Sequence, residues 1–296
     1  MHIIIIGAGP AGLQAAIHAA RGKATVTLVG KTGDSAMYGA HVENYFGLKG
    51  KQDGSRILND GLSQALSFGA KHIAENVISM ARDGDSFTAT TENDTKITAK
   101  AIILAPGVSR KKLNIPGEKE FFGKGVSYCA ACDCNFYKGK RVAVIGDESE
   151  AAASAELMTK YASQVFWVTK DTKASHAMVK KAKDAGVEII NEAPAEIVGK
   201  EKVTNLKFID APMIDVDGVF IELGARSSSD LAMDIDVMPN ADGTISVNDK
   251  CETSVKGVYA CGDVTGKPWQ IAKAVGQGAV AGINASSFVK GERGDR

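Results

Sequence analysis

The feature that most constrains the fold is a glycine-rich turn near the start of the chain. An apolar run, His2–Ile6, is followed by Gly7-Ala8-Gly9-Pro10-Ala11-Gly12, an alanine-rich segment and a second apolar run at residues 25–29. This order predicts a buried strand, a tight turn, a helix and a parallel strand. At such a turn the first glycine permits the bend, the second admits a pyrophosphate and the third lets the helix pack on the strand. A glycine-rich connector without a ligand is the alternative.

A second unit of the same kind begins at Arg141. The apolar run Arg141–Ile145 is followed by Gly146-Asp147-Glu148-Ser149-Glu150-Ala151, an alanine-rich stretch and another apolar run at residues 164–169. Residues 101–104 are typical of a further strand, and the proline-containing stretch 110–117 is typical of a linker. The chain of 296 residues is long enough for two domains at roughly 150 residues each. The sequence therefore predicts an α/β protein with two Rossmann-like units.

Composition excludes several classes of function. Lys plus Arg and Asp plus Glu number 35 each, so the formal charge is zero and a generally basic nucleic-acid binder is excluded. No apolar run reaches the roughly 18 residues that a membrane-spanning helix needs, so no membrane partner is expected. The first twenty residues lack the basic segment of a signal peptide, which favours a cytoplasmic location.

The stretch Tyr128-Cys129-Ala130-Ala131-Cys132-Asp133 carries the predicted chemistry. A Cys-x-x-Cys pair can close a small disulfide ring, and at the start of a helix the dipole stabilises the reactive thiolate. A metal site would need a second pair of ligands, but Cys134 is too close and Cys251 and Cys261 are distant, so no metal is expected. Chance spacing remains open. Asp133 is either the acid or base that handles the thiol proton or an acid that stabilises the helix start.

Three segments in order, GAGPAGLQAA, SYCAACD and GVYACGDVTGKPWQIAKAVGQGAVAGINA, resemble the low-molecular-weight thioredoxin reductase family of flavoproteins over nearly the whole chain. The resemblance implies two Rossmann-like domains of the three-layer ββα type found in pyridine nucleotide-disulfide oxidoreductases, the second inserted into the first. The FAD-binding domain would comprise residues 1–112 and 232–296, and the domain carrying the cysteine pair residues 113–231. It also implies bound FAD, thioredoxin as electron acceptor and a homodimer.

The resemblance assigns roles to individual residues. At the pyrophosphate of FAD it places Gly7, Gly9 and Gly12, and along the flavin cleft Glu43, Asn44 and Tyr45. Asp263 is expected to hold the ribityl chain. A helix over residues 268–287 is expected to face the flavin's pyrimidine edge with the residues at its start, Trp269, Gln270, Ile271 and Ala272. Cys132 would exchange electrons with the flavin, and Cys129 would attack the disulfide of thioredoxin. Trp269 either covers a flavin face or is a core or interface residue.

The second glycine turn departs from the members of the family that use NADPH. Asp147, Glu148 and Glu150 would surround a pyrophosphate there, and residues 169–175 contain no arginine for a 2′-phosphate. Acids at a helix start also stabilise the helix, and both explanations can hold. In this respect the chain is more similar to the ferredoxin-dependent, pyridine-nucleotide-independent flavin thioredoxin reductases.

The predicted function is therefore transfer of electrons from reduced ferredoxin through FAD and the Cys129/Cys132 disulfide to thioredoxin. The alternatives are the same chemistry with NADPH or a reduced deazaflavin as donor, and a flavin redox sensor without turnover. Two basic stretches, residues 110–112 and 138–141, either dock an acidic ferredoxin or are solvated surface.

Overall fold

The computed structural model describes residues 1–107, 112–128, 130–223 and 228–291, with only the backbone at residues 131, 132, 228 and 229. The strands are β1 (His2–Ile6), β2 (Thr25–Val29), β3 (His41–Val42), β4 (Gln52–Asp53), β5 (Lys71–Ile73), β6 (Val77–Asp83), β7 (Ser86–Thr91), β8 (Lys96–Ala99), β9 (Ala101–Leu104), β10 (Val126–Ser127), β11 (Arg141–Ile145), β12 (Gln164–Val168), β13 (Glu188–Ile190), β14 (Pro194–Gly199), β15 (Val203–Phe208), β16 (Ile214–Asp215), β17 (Gly218–Ile221) and β18 (Val258–Ala260). The helices are α1 (Pro10–Arg21), α2 (Gly54–Ser67), α3 (Ala130–Asp133), α4 (Ser149–Met158), α5 (His176–Asp184), α6 (Ser228–Met233) and α7 (Ile271–Lys290). Short 3₁₀ turns lie at Thr32–Asp34, Cys134–Tyr137 and Asp263–Thr265.

The chain divides into two compact units. Unit 1 comprises residues 1–91, 95–108 and 227–296, and unit 2 comprises residues 109–226 together with Glu92–Asp94 from the turn between β7 and β8. Because the chain leaves unit 1 and later returns to it, the second unit is an insertion in the first.

Unit 1 is built on a parallel sheet of five strands in the order β18-β9-β1-β2-β5. Successive side chains of a strand point to opposite faces, and β1 uses both. Ile3 and Ile5 pack into a core with α1, α2 and α7, whereas Ile4 and Ile6 pack into a second core with the antiparallel sheet β6-β7-β8. Burial on both faces explains why β1 is an unbroken apolar run rather than an alternating one.

Unit 2 repeats this architecture. Its parallel sheet has the order β10-β17-β11-β12-β13, and a smaller antiparallel sheet has the order β14-β15-β16. Ala143 and Ile145 of β11 pack with Ile197 and Leu206 of the antiparallel sheet. The predicted fold class, two Rossmann-like α/β domains with the second inserted into the first, is confirmed. In the part of the chain that the structure describes, no helix combines the length and apolar character needed to cross a membrane.

Candidate functional site

The predicted dinucleotide turn joins β1 to α1 in unit 1. Gly7 has φ +104°, and a Cβ there would lie 2.3 Å from the carbonyl oxygen of Ala105. A Cβ on Gly12 would lie 1.8 Å from the carbonyl oxygen of Gly7. Only glycine fits either position, so the sequence places the start of α1 directly against the end of β1.

The start of α1 suits an anion. Gly9 is the N-cap and Pro10 the first helical residue, no side chain caps the helix, and its first turn contains no acidic residue. A Cβ on Gly9 would meet only the side chain of Ser35, at 3.4 Å, so the space in front of the turn is open. The free N–H groups and the positive end of the dipole favour a phosphate group here. These features fit the pyrophosphate of a dinucleotide cofactor.

Asp263 lies at the same edge of the unit 1 sheet, because β1 and β18 are both parallel to β9 and end on the same side. It begins the 3₁₀ turn that follows Gly262, which has φ +84°. Burial raises the pKa of the Asp263 carboxyl, and the Lys273 ammonium opposes that rise. Its carboxylate accepts no hydrogen bond from the described residues, which leaves it available to ribityl hydroxyls.

Two of the segments expected to hold FAD meet. The Asn44 amide donates to the side-chain oxygen of Gln270 at 3.5 Å, although the two residues are far apart in sequence. Tyr45 is half-buried against the helix-side core of unit 1, and Glu43 is exposed. Trp269 is 54% exposed, with the Lys267 ammonium 5.4 Å from its ring centroid, so the explanation of Trp269 as a core residue is wrong.

The predicted helix start at Pro268 is also wrong. α7 begins at Ile271, with Gln270 as an extended N-cap, so Trp269 and Gln270 precede the helix. The N–H of Gln270 donates to the carbonyl of Pro268, a turn too tight for helical bonding, and the first helical bond runs from Ala274 to Gln270. Of the four residues predicted for this helix start, Ile271 and Ala272 lie in its first turn.

The cysteine pair belongs to unit 2. Cys129 and the side chain of Cys132 lie outside the described residues, and the backbone of Cys132 is in α3, which follows β10. The N–H of Ala130, at the start of α3, donates to the Glu222 carboxylate at 2.9 Å, and this bond is buried. Sequence reasoning missed Glu222, for which the one available signal was an acid directly after the apolar strand β17.

Asp133 is the last residue of α3 and is partly buried. Its carboxylate makes no capping bond to the 3₁₀ turn that follows. Burial and then the nearby Asp133 carboxylate raise the pKa of the Tyr137 hydroxyl. The role of Asp133 as an acid or base stays a prediction.

The three remaining cysteines, Cys134, Cys251 and Cys261, are buried and form no disulfide with the described residues. Burial raises the pKa of Cys251 to about 11. Burial also raises the pKa of Cys261, and the neighbouring Cys251 thiol makes a smaller contribution in the same direction. Cys134 is 4% exposed and lies close to the Tyr161 hydroxyl. Thiols that remain protonated are poor nucleophiles, so Cys251 and Cys261 are structural in character.

The second glycine turn, between β11 and α4, is filled by side chains of the chain itself. The Ser149 hydroxyl at the start of α4 donates to the buried Glu92 carboxylate, and the N–H of Ser175 donates to the Ser149 oxygen at 2.9 Å. The Lys173 ammonium forms an ion pair with Asp147 at 2.5 Å. The hydrogen bond to the Asp147 carboxylate, and then its negative charge, raise the pKa of Lys173. The start of α4 thus differs from the open, uncharged start of α1.

Together, an anion-binding turn with an available carboxylate in unit 1 and a Cys-x-x-Cys sequence whose second cysteine lies in α3 of unit 2 define a dinucleotide-dependent disulfide oxidoreductase. The sequence profile of the pyridine nucleotide-disulphide oxidoreductases matches residues 1–278, and the chain belongs to that family. The thioredoxin reductase of Aquifex aeolicus is 36% identical over 98% of this chain and 94% of its own length.

Solved structures agree with this assignment. The atypical thioredoxin reductase TRi from Desulfovibrio vulgaris Hildenborough superposes with a TM-score of 0.84 at 34% identity, over 99% of both chains. A Ferredoxin-Flavin Thioredoxin Reductase from Clostridium acetobutylicum gives a TM-score of 0.68 at 34% identity, over 98% of both chains. Within its family the chain therefore groups with the thioredoxin reductases. The expected resemblance, the enzyme class and FAD as cofactor are confirmed.

Proposed function

We propose that this flavoenzyme takes electrons from reduced ferredoxin rather than from NADPH and delivers them to the disulfide of thioredoxin. The observation that carries the choice of donor is the second glycine turn, where α4 begins with Glu148 and Glu150, whereas the first turn of α1 has no acidic residue.

The start of α4 is acidic and closed. Glu148 is its N-cap, Glu150 lies buried in its first turn, and the Ser149 hydroxyl is bonded to Glu92. Two like unit charges about 4 Å apart repel by roughly 4 kcal/mol at an effective dielectric near 20. Since 1.4 kcal/mol is a factor of ten, one such contact weakens the binding of a pyrophosphate by roughly a thousandfold.

The loop after β12 has no arginine for a 2′-phosphate, and of its two lysines Lys170 is exposed while Lys173 is already held. Lys173 is paired with Asp147, and its backbone N–H donates to the Asp147 carbonyl at 2.6 Å. Ser175 uses its hydroxyl to bond the Glu92 carbonyl and to cap α5. A lysine already held by a carboxylate is a weak ligand for a second anion, and it cannot form the bidentate fork of an arginine.

The residues assigned to chemistry divide between the two units. Bound FAD supplies a carrier that accepts two electrons and passes them to a disulfide. Gly7, Gly9 and Gly12 would hold its pyrophosphate on α1, and Asp263 would accept hydrogen bonds from its ribityl hydroxyls. Cys132 would take the electrons as the Cys129–Cys132 disulfide opens. Cys129 would then attack thioredoxin as a thiolate, and Asp133 would hold or release the thiol proton.

The donor has a candidate docking surface in unit 2. Lys138 and Lys140 are exposed next to α3, and the Lys140 ammonium lies 5.2 Å from the Tyr137 ring centroid. Lys112, from the other basic stretch, is exposed as well, whereas Arg110 and Lys111 lie outside the described residues. We propose these lysines as the contact for an acidic ferredoxin. A cytoplasmic location and a homodimer complete the proposal, and light scattering of the pure protein tests the dimer.

The experiment supplies thioredoxin as acceptor and one donor at a time under anaerobic conditions. New thioredoxin thiols should appear with photoreduced ferredoxin and not with NADPH, NADH or a photoreduced deazaflavin alone. Cys132→Ser is the matched blank, because it removes one sulfur of the pair and leaves the unit 1 flavin site untouched. Thiols produced by NADPH at micromolar concentration would overturn the choice of donor. A flavin that is reduced without any thiol production would indicate a sensor.

A further inference from the structure

Lys273 is a cation in an unfavourable position. It is the third residue of α7, a helix whose first turn contains no acidic residue. The N-terminal end of a helix carries partial positive charge, so a lysine there is disfavoured. A residue that breaks a local rule in this way indicates a compensating contact or function.

The compensating contacts lie on the Asp263 turn. The Lys273 ammonium donates to the carbonyl of Gly262 at 3.2 Å and to the carbonyl of Gly266. These two carbonyls bracket the Asp263–Thr265 turn. One helical turn further along α7, the Gln277 side-chain oxygen accepts the N–H of Gly262 at 3.0 Å and the hydroxyl of Thr265 at 2.9 Å. Two side chains of α7 therefore hold the turn from one side.

The charges around Lys273 are few. The described titratable groups that face it are the Asp263 carboxylate and the Cys251 thiol. Burial lowers the pKa of Lys273, and Asp263 opposes that change. Burial raises the pKa of Cys251 to about 11, so this thiol is neutral near pH 7 and adds no competing charge. Burial raises the pKa of Asp263, and the positive charge of Lys273 opposes that rise.

We propose that Lys273 is a positioning residue of the flavin site, whose ammonium holds the Asp263 turn against α7 and supplies the positive charge facing the carboxylate assigned to the ribityl chain. The inference rests on the assignment of Asp263 to FAD. It is independent of the donor and the acceptor.

The sign of the pH effect follows from Asp263. The carboxylate form offers charge-assisted hydrogen bonds to FAD, and this contribution is lost as the pH falls through the pKa of Asp263. Lys273 lowers that pKa, so removing the ammonium moves the loss of FAD to higher pH.

The test uses the full chain with four variants. Lys273→Met and Lys273→Gln remove the charge, and the glutamine keeps an N–H donor in case the methionine variant does not fold. Lys273→Arg keeps the charge. Lys290→Met, in the last turn of α7 and about 25 Å along the helix axis, is the matched control. The dissociation constant of FAD is measured by flavin fluorescence on deflavinated protein from pH 5 to pH 9, together with the thermal unfolding of the apoprotein.

Lys273→Met and Lys273→Gln should weaken FAD binding about tenfold near pH 7, because the Asp263 turn loses the ammonium that holds it. The factor should be larger at pH 5, because without the ammonium more of Asp263 is protonated there. Lys273→Arg and Lys290→Met should stay close to the wild type at every pH. Wild-type affinity across the pH range in both neutral variants would overturn the proposal. The proposal would also be overturned if FAD affinity fell by the same factor at every pH and the apoprotein were less stable to the same degree, because a loss of packing alone would explain both results. No donor enters these assays, so they succeed or fail separately from the proposed function.

Discussion

Replacing Glu222 with alanine should destabilise α3, the helix that contains the backbone of Cys132. The Glu222 side chain is 6% exposed, and its carboxylate is the acceptor for the buried N–H of Ala130. A buried donor left without its partner costs about 1–3 kcal/mol. We expect Glu222→Ala to lower the free energy of unfolding by about 2 kcal/mol, which corresponds to about 4–8 °C in Tm for a unit of this size.

The matched control is Glu222→Gln, which keeps an oxygen acceptor and nearly the same volume while it removes the charge. Thermal unfolding of the holoenzyme, followed by circular dichroism, should show a loss for the alanine variant and a change of about 2 °C or less for the glutamine variant. Thioredoxin reduction should fall with the alanine variant, because α3 contains Cys132. Equal losses in both variants would refute the argument from hydrogen bonding, and so would an alanine variant that unfolds with the wild type.

Cys132→Ser should leave FAD bound and reducible by the donor but stop thiol production in thioredoxin, because the flavin loses its sulfur partner. A visible spectrum of the reduced variant checks the flavin, and a thiol assay checks thioredoxin. Cys134→Ser should have almost no effect in the same assays, and a complete loss of turnover would show that this buried thiol takes part in electron transfer. Asp263→Ala should weaken FAD retention above the raised pKa of that carboxyl, with the difference from wild type shrinking as the pH falls through it, as measured by gel filtration at several pH values. Charge reversal at Lys138 and Lys140 should slow reduction by ferredoxin at low salt and have little effect near 1 M salt, where the Debye length is about 3 Å; equal slowing at both salt concentrations would exclude an electrostatic role.

The strongest sequence predictions rest on backbone geometry. The run from His2 to Gly12 specified a strand, a turn and a helix, because Gly7 and Gly12 occupy positions where any Cβ would collide with backbone. The second unit was predicted from the same pattern at Arg141. In both cases each local signal agrees with the parallel sheet, so propensity and tertiary structure point in the same direction.

Contacts between distant parts of the chain could not be predicted in this way. The hydrogen bond from Ala130 to Glu222 spans 92 positions, and the one from Asn44 to Gln270 spans 226. No periodicity or spacing encodes such pairs, because they depend on strand order and on the path of loops. The start of α7 was misplaced for a related reason, since proline is common in the first turn of a helix but here precedes a tight turn at Gln270.

Anaerobic reduction of the bound flavin, one donor at a time, tests the central claim most directly. The visible absorbance of the oxidised flavin is followed after rapid mixing with reduced ferredoxin or with NADPH at millimolar concentration. The acidic, side-chain-filled turn at the start of α4 predicts negligible bleaching by NADPH. The proposed contact with ferredoxin at Lys138 and Lys140 predicts rapid bleaching by ferredoxin. Rapid bleaching by micromolar NADPH would contradict the account of the donor, while the assignments of the flavin and the cysteine pair would stand.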